Sequence, residues 1–139
     1  MKQASKYLSL FTIGGSLYCL LEILFRSRTH WTMGVVGGLC FVLVGSINEI
    51  PQFKKIPLLY QMAASAIIIT IIEFISGIIL NVLLNLHVWD YSNMPFNILG
   101  QVCLPFTILW FFISLLAIFL DDWLRYKLFN EQLPQYQWV

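Results

Sequence analysis

The sequence predicts an all-α, polytopic integral membrane protein built as a bundle of four transmembrane helices. Of its 139 residues, 59% are hydrophobic and only 11% are charged, whereas soluble domains carry about a quarter charged residues. The apolar residues also fall into four runs, each near the ~20 residues that a helix needs to cross about 30 Å of hydrocarbon. Lipid offers no hydrogen-bond partners to the backbone, whereas a helix pairs its own N–H and C=O groups, so these runs are predicted to be helices.

The limits of the spans follow from the apolar runs. The third run is long enough to tilt or to project beyond the membrane. Residues 1–122 are predicted to form one transmembrane domain, and residues 123–139 a cytoplasmic tail rich in polar and aromatic residues. The predicted spans are Tyr7–Phe25, Trp31–Ile47, Pro57–Leu84 and Ile98–Leu120.

The first run has to be distinguished from a cleaved signal peptide. Lys2 and Lys6 precede an apolar stretch that ends near Cys19, as in a signal sequence. Leu17 and Tyr18 stand directly before Cys19, and a bulky Tyr does not fit a small-residue cleavage site. We therefore expect an uncleaved first transmembrane helix.

Basic residues predict the orientation in a cell membrane, because Lys and Arg concentrate on the cytoplasmic side. Both termini are therefore expected in the cytoplasm. The Arg26–Trp31 turn and the His87–Asn97 loop should then meet at the outer face. The sequence has no stripe of basic residues, so a nucleic-acid partner is not expected. One side of the membrane receives Lys2, Lys6, Lys54, Lys55, Arg125 and Lys127, and the other only Arg26 and Arg28.

Small residues on the second helix predict close helix packing. Gly34, Gly38 and Gly45 share one face, and the first two fit the small-xxx-small pattern that lets helix backbones approach each other. On the fourth helix, Pro105 predicts a kink or a re-entrant start.

Two acids lie inside predicted spans, and each has two interpretations. An ionisable side chain in the membrane costs at least ~2.5 kcal/mol and usually faces a partner or water. Glu22 and Glu73 are therefore candidates for a proton, ion or substrate site. The alternative for Glu22 is an ion pair with Arg26, one turn away, that only fixes helix packing. Glu73 has no basic residue in its own helix, which favours function.

The stretch from Glu73 to Gln101 holds the densest polar chemistry. Its Trp and Tyr would suit a simple anchor among lipid head groups, but the neighbouring amide side chains exceed what an anchor needs. With the basic turn on the same side, they predict a site for a head group or a small polar solute. The candidate binding residues are Glu22, Arg26, Arg28, His30, Glu73, Asn81, Trp89, Asp90, Tyr91, Ser92, Asn97 and Gln101.

Several motifs are missing from the sequence. It contains no Gly-rich phosphate loop and no Gly-x-Ser-x-Gly, which mark P-loop ATPases and serine hydrolases. His30 and His87 have no histidine partner one helical turn away, so neither a metal site nor a cofactor is predicted. Asn48-Glu49, before Pro51, is interpreted as a solvated helix end.

The chain resembles a known family of small multipass membrane proteins, the ABC-transporter permeases of the CmpB type. The resemblance rests on the run Ile72-Glu73-Phe74-Ile75-Ser76-Gly77 with Asn81, on Trp89-Asp90-Tyr91-Ser92, and on Glu22 and Arg26. It implies a permease-like subunit that works with a separate ATPase subunit. It also implies a homo-oligomer in the lipid bilayer, since four helices rarely enclose a translocation path.

Three hypotheses about function follow. In the first, the chain is a permease-like transporter subunit whose carboxylates hold a proton or cation and whose outer loop meets the substrate. In the second, it is a membrane-embedded enzyme acting on lipid head groups, with Glu73 or Asp90 as general base and Arg26 or Arg28 holding an anionic group. In the third, it is a structural or regulatory subunit whose polar residues join helices.

Overall fold

The computed structural model describes residues 2–139 and confirms a bundle of four helices. Each helix, with its adjoining turns, is long and apolar enough to cross a membrane, so the chain is a multipass membrane protein. The helices are α1 (Lys2–Arg26), α2 (Trp31–Ser46), α3 (Leu58–Gly77) and α4 (Leu104–Phe129).

The connections differ in length and shape. Two short 3-10 turns, Ile47–Glu49 and Pro51–Phe53, join α2 to α3. A π-helical segment, Ile78–Leu83, prolongs α3. Residues 84–103 then form a long loop before α4, which we call the loop segment. Within residues 2–139 there is no β-strand, only one isolated antiparallel bridge between Ile98 and Val102.

The fourth helix is where the predicted limits were wrong. It begins at Leu104 rather than Ile98 and continues to Phe129 rather than Leu120. Pro105 lies in its first turn, where the missing N–H of proline costs no helical hydrogen bond, so this residue starts the helix instead of kinking it. Residues 123–129 of the predicted tail are thus helical, and residues 130–139 have no regular secondary structure.

The bundle has two distinct ends. α1 packs mainly on α2, α3 packs mainly on α4, and α2 also contacts α3 and α4. Lys6 pairs with Glu131, and the backbone N–H of Leu58 donates to the carbonyl of Gln137. Both chain termini therefore lie at the same end of the bundle, which we call the terminal end. The opposite end holds the turn between α1 and α2 and the loop segment, and we call it the loop end.

Glycines bring α1 and α2 into backbone contact, which confirms the predicted packing surface. A Cβ on Gly15 would lie 2.3 Å from the carbonyl oxygen of Gly34, and one on Gly38 would lie 2.6 Å from that of Phe11. Gly45 serves a different contact, since a Cβ there would lie 2.1 Å from the carboxyl carbon of Asp121 on α4.

Gly15→Ala is expected to lower the free energy of unfolding by about 1–3 kcal/mol, the usual cost of overpacking. The added methyl group meets backbone, which cannot rotate away as a side chain can. Thermal unfolding in detergent measures the effect, with Ser16→Ala, an exposed position on the same helix, as the control. Equal melting temperatures for the two variants would contradict the packing described.

Candidate functional site

The loop segment folds into the bundle rather than lying on the membrane surface. Trp89 is only 2% exposed and Tyr91 9% exposed, and both pack with Met33 and Cys103 in one apolar cluster. The ring of Tyr91 stacks on Phe106 with centroids 4.7 Å apart. These two aromatic residues are therefore packing residues of the protein, not anchors among lipid head groups.

Glu73 lies beneath the loop segment and joins three parts of the chain. Its side chain is buried, with the residue 4% exposed. The Tyr91 hydroxyl donates to Oε1 at 2.9 Å, and Nε1 of Trp110 on α4 donates to Oε2 at 3.2 Å. Burial raises the pKa of Tyr91, so its hydroxyl keeps the proton that it donates. Glu73 thus connects α3 to α4 and to the loop segment.

Asn81 and Gln101 hold the loop segment to the end of α3. The Asn81 amide donates to Oε1 of Gln101 at 2.9 Å, and its own oxygen accepts the backbone N–H of Val88 at 2.7 Å. Trp89 Nε1 donates to the carbonyl of Gln101 at 2.9 Å. Gly77 makes room for this contact, because a Cβ there would lie 2.5 Å from Oε1 of Gln101. Both amides are therefore occupied within the protein.

Asp90, Ser92 and Asn97 organise the exposed tip of the loop segment. Oδ1 of Asp90 accepts from both the backbone N–H and the hydroxyl of Ser92, and these bonds hold the pKa of Asp90 below its ordinary value. Asn97 donates to the carbonyl of Met94 at 2.9 Å and accepts from the N–H of Gly100 at 3.1 Å. Gly100 has a φ of +70°, a value that glycine adopts without strain.

A polar cavity lies at the loop end. Its volume is about 130 Å³. The turn after α1 and the loop segment both line it, which confirms the prediction that these two regions meet. Glu73 and Asp90 do not line it. The lining residues are Glu22, Arg26, Arg28, Thr29, His30, Leu86, His87 and Val88. We call this cavity the loop-end pocket.

Glu22 and Arg26 form part of the wall of the loop-end pocket. Oε1 of Glu22 accepts from the Tyr18 hydroxyl at 3.2 Å and from Arg26 at 3.3 Å. His30 caps α2, because its Nδ1 accepts the backbone N–H of Thr32. The predicted ion pair between Glu22 and Arg26 is therefore present, and it lies in the wall of the cavity.

The predicted candidates consequently divide into three groups. Four line the loop-end pocket, Glu73 lies apart beneath the loop segment, and the others organise that segment. Thr29, Leu86, His87 and Val88 were not among the candidates. Thr29 and His87 could have been included, because both are polar residues in the two connections predicted to meet. Among residues 2–139, no three His, Cys, Asp or Glu side chains are grouped as a metal site requires.

A second polar cluster, absent from the predicted site, occupies the terminal end. Nε of Arg125 donates to Oδ2 of Asp121 at 2.6 Å, and both residues are almost fully buried. Asn48 donates to the two oxygens of Asp122 at 3.0 and 2.8 Å, and the Tyr136 hydroxyl donates to Oδ2 at 2.6 Å. The i, i+4 spacing of Asp121 and Arg125 was the sequence signal for this cluster.

The position of Asn48 contradicts the interpretation of Asn48-Glu49 drawn from the sequence. The Asn48-Glu49 pair was expected to be a solvated helix end, but Asn48 is 4% exposed and bound to Asp122. Only Glu49 fits the expectation in part, with a side chain 35% exposed and 3.9 Å from Nη1 of Arg125. The contact joins residues 74 positions apart in the sequence, and no local pattern indicates it.

Four membrane-spanning helices, with a polar cavity between the connections at one end, define the class as a small polytopic membrane protein. The chain belongs to the family described as "Putative ABC-transporter type IV", whose family model matches residues 9–138. This match confirms the resemblance drawn from the sequence. No curated protein and no solved structure was found to match it significantly.

Proposed function

We propose that the chain is the permease-like membrane subunit of an ABC-type transporter, and that its loop-end pocket receives a small polar solute at the outer leaflet of the cell membrane. The observation that supports this most is the pocket itself, where charged residues of α1 and of the following turn meet the loop segment. The family supports the transporter class.

The distribution of basic residues supports an outward position for the pocket. The terminal end carries both chain termini and the connection between α2 and α3, which includes Lys54 and Lys55. Lys and Arg mark the cytoplasmic side of a membrane protein. The terminal end therefore faces the cytoplasm, and the loop end faces outward.

In this proposal the energy source is another protein. The sequence has no phosphate-binding loop, so a separate ATPase subunit supplies ATP hydrolysis and meets the terminal end. The cavity of about 130 Å³ holds a small solute but is not a path through the membrane. More than one copy of the chain, or another membrane subunit, is needed to enclose such a path.

The two intramembrane acids have different roles in this proposal. Glu22 lines the pocket and orients Arg26. Glu73 lies outside it and holds the loop segment through Tyr91 and Trp110, as in the hypothesis of polar residues that join helices. The enzyme hypothesis needs a general base facing a cavity, and neither Glu73 nor Asp90 lines this pocket.

Isolation of the affinity-tagged full chain from its native membrane tests the proposal. We expect a P-loop ATPase to copurify in a fixed ratio and the purified complex to hydrolyse ATP. A tagged, unrelated four-span protein from the same membrane serves as the control for non-specific capture. Folded chain that purifies without an ATPase and without ATP hydrolysis would overturn the assignment.

A further inference from the structure

We infer that the ligand of the loop-end pocket carries an anionic oxygen group, a phosphate or carboxylate, which Arg26 and Arg28 bind. The inference names the ligand class for the site of the proposed function and rests on that proposal for the outward position of the pocket. A free small anion and a lipid phosphate share this chemistry.

The charge balance of the pocket is positive. Two guanidinium groups, those of Arg26 and Arg28, line it with one carboxylate, that of Glu22. Glu22 is already engaged, since it accepts from both Arg26 and Tyr18. Within residues 2–139, Arg28 forms no ion pair with a carboxylate. One positive charge in the pocket is therefore left without a protein counter-charge.

The lining residues carry donors of the kind that bind an oxyanion. A guanidinium presents a planar fork of N–H groups that binds carboxylate or phosphate through two parallel hydrogen bonds. His30 engages Nδ1 with the backbone N–H and the hydroxyl of Thr32, which leaves Nε2 as the ring nitrogen available for a ligand. The hydroxyl of Thr29 is a third type of donor among the lining residues.

The volume and the walls of the pocket suit a small charged group. A volume of about 130 Å³ is enough for a small oxyanion or for the charged group of a larger ligand. Leu86 and Val88 contribute apolar wall, which lowers the local dielectric and strengthens the attraction between guanidinium and anion.

One residue that lines the pocket and two sequence neighbours of lining residues have a left-handed backbone conformation. Ser27, Asn85 and His87 adopt φ values of 58°, 55° and 48°, in the left-handed region that few non-glycine residues occupy. Ser27 lies between the two arginines, and His87 lines the pocket. Ser27 directly follows α1, where a left-handed residue commonly ends a helix, so its conformation turns the chain between the two arginines.

Binding measurements on three forms of the full chain test the inference: the unmodified protein, Arg28→Gln, and Lys55→Gln as the matched control at the terminal end. Arg28 and Lys55 are both exposed, so both variants should fold, and circular dichroism checks this. In the first arm, inorganic phosphate is titrated at constant ionic strength into protein in phosphatidylcholine nanodiscs. In the second arm, nanodiscs contain phosphatidylglycerol, and native mass spectrometry counts the lipid retained.

We expect Arg28→Gln to weaken binding in at least one arm by about tenfold or more, because it removes the charged hydrogen-bond donors of the guanidinium. Lys55→Gln should leave binding unchanged. Loss of phosphate binding supports a free anion, and loss of retained phosphatidylglycerol alone supports a lipid phosphate. The inference is overturned if the folded unmodified protein binds neither probe, or if Arg28→Gln binds both equally well. ATPase copurification with Arg28→Gln is scored separately, so failure of anion binding leaves the transporter proposal standing.

Discussion

Arg125→Ala is expected to lower the free energy of unfolding by about 3–5 kcal/mol, the cost of breaking a buried ion pair from one side. Arg125 is 1% exposed, and Asp121, its partner at 2.6 Å, is fully buried. Removing the guanidinium leaves that carboxylate without its cation. Nη1 of Arg125 also lies 3.9 Å from Glu49 and 3.8 Å from Glu131, and both of these attractions are lost as well.

Denaturant and thermal unfolding in nanodiscs measure the effect of Arg125→Ala. Lys127→Ala is the matched control, because it removes an exposed basic residue from the same last turns of α4. Exposed charges contribute at most about 1 kcal/mol, so the control should stay close to the unmodified protein. Similar stabilities for the two variants would show that Arg125 is not a structural centre of the terminal end.

A double variant separates the ion pair from the packing around it. Asp121→Asn with Arg125→Met removes both charges of the pair and keeps much of the side-chain volume. A buried ion pair replaced on both sides is often nearly neutral, so this protein should be more stable than Arg125→Ala. The single variants Asp121→Asn and Arg125→Met complete the cycle. The difference between the effect of the double variant and the sum of these two single effects gives the coupling energy of the pair.

The fourth helix illustrates why the fold was predictable but its limits were not. Hydropathy predicted four spans, because lipid allows few charged residues and no unsatisfied backbone in its core. The same reasoning ended α4 before Asp121 and Asp122, since acids usually mark the edge of a span. Both acids are instead buried by partners, of which Asn48 is 74 residues distant. A pairing of that kind depends on the tertiary structure.

The candidate site was predictable to a similar extent. The spacing of Glu22 and Arg26 indicated their ion pair, and the topology brought the basic turn to the loop segment. The sequence did not indicate which polar groups of the loop segment bind one another. Asp90 and Gln101 resemble ligand-binding residues in composition, but backbone geometry directs them to Ser92 and Asn81. Composition therefore located the end of the bundle but did not indicate which of its polar side chains line the cavity.

Glu73→Leu is expected to destabilise the protein by about 1–3 kcal/mol for each buried donor that it leaves unpaired. Two donors are affected, the hydroxyl of Tyr91 and the indole N–H of Trp110, at 2.9 and 3.2 Å from the carboxyl group. Leu offers no acceptor, whereas Glu73→Gln keeps one oxygen and should retain part of the stability. Thermal unfolding in nanodiscs measures both variants, with Ile75→Ala on the exposed face of α3 as the control.

The same variants decide whether Glu73 belongs to the ligand site. Because Glu73 does not line the loop-end pocket, folded Glu73→Gln should bind inorganic phosphate or retain phosphatidylglycerol as the unmodified protein does. A folded Glu73→Gln protein that has lost this binding would make Glu73 part of the site. A Glu73→Leu protein as stable as the control would contradict its role in holding the loop segment. The role of Glu73 is therefore decided by whether its loss lowers the stability of the protein or its ligand binding. Its contacts with Tyr91 and Trp110 predict that stability is what changes.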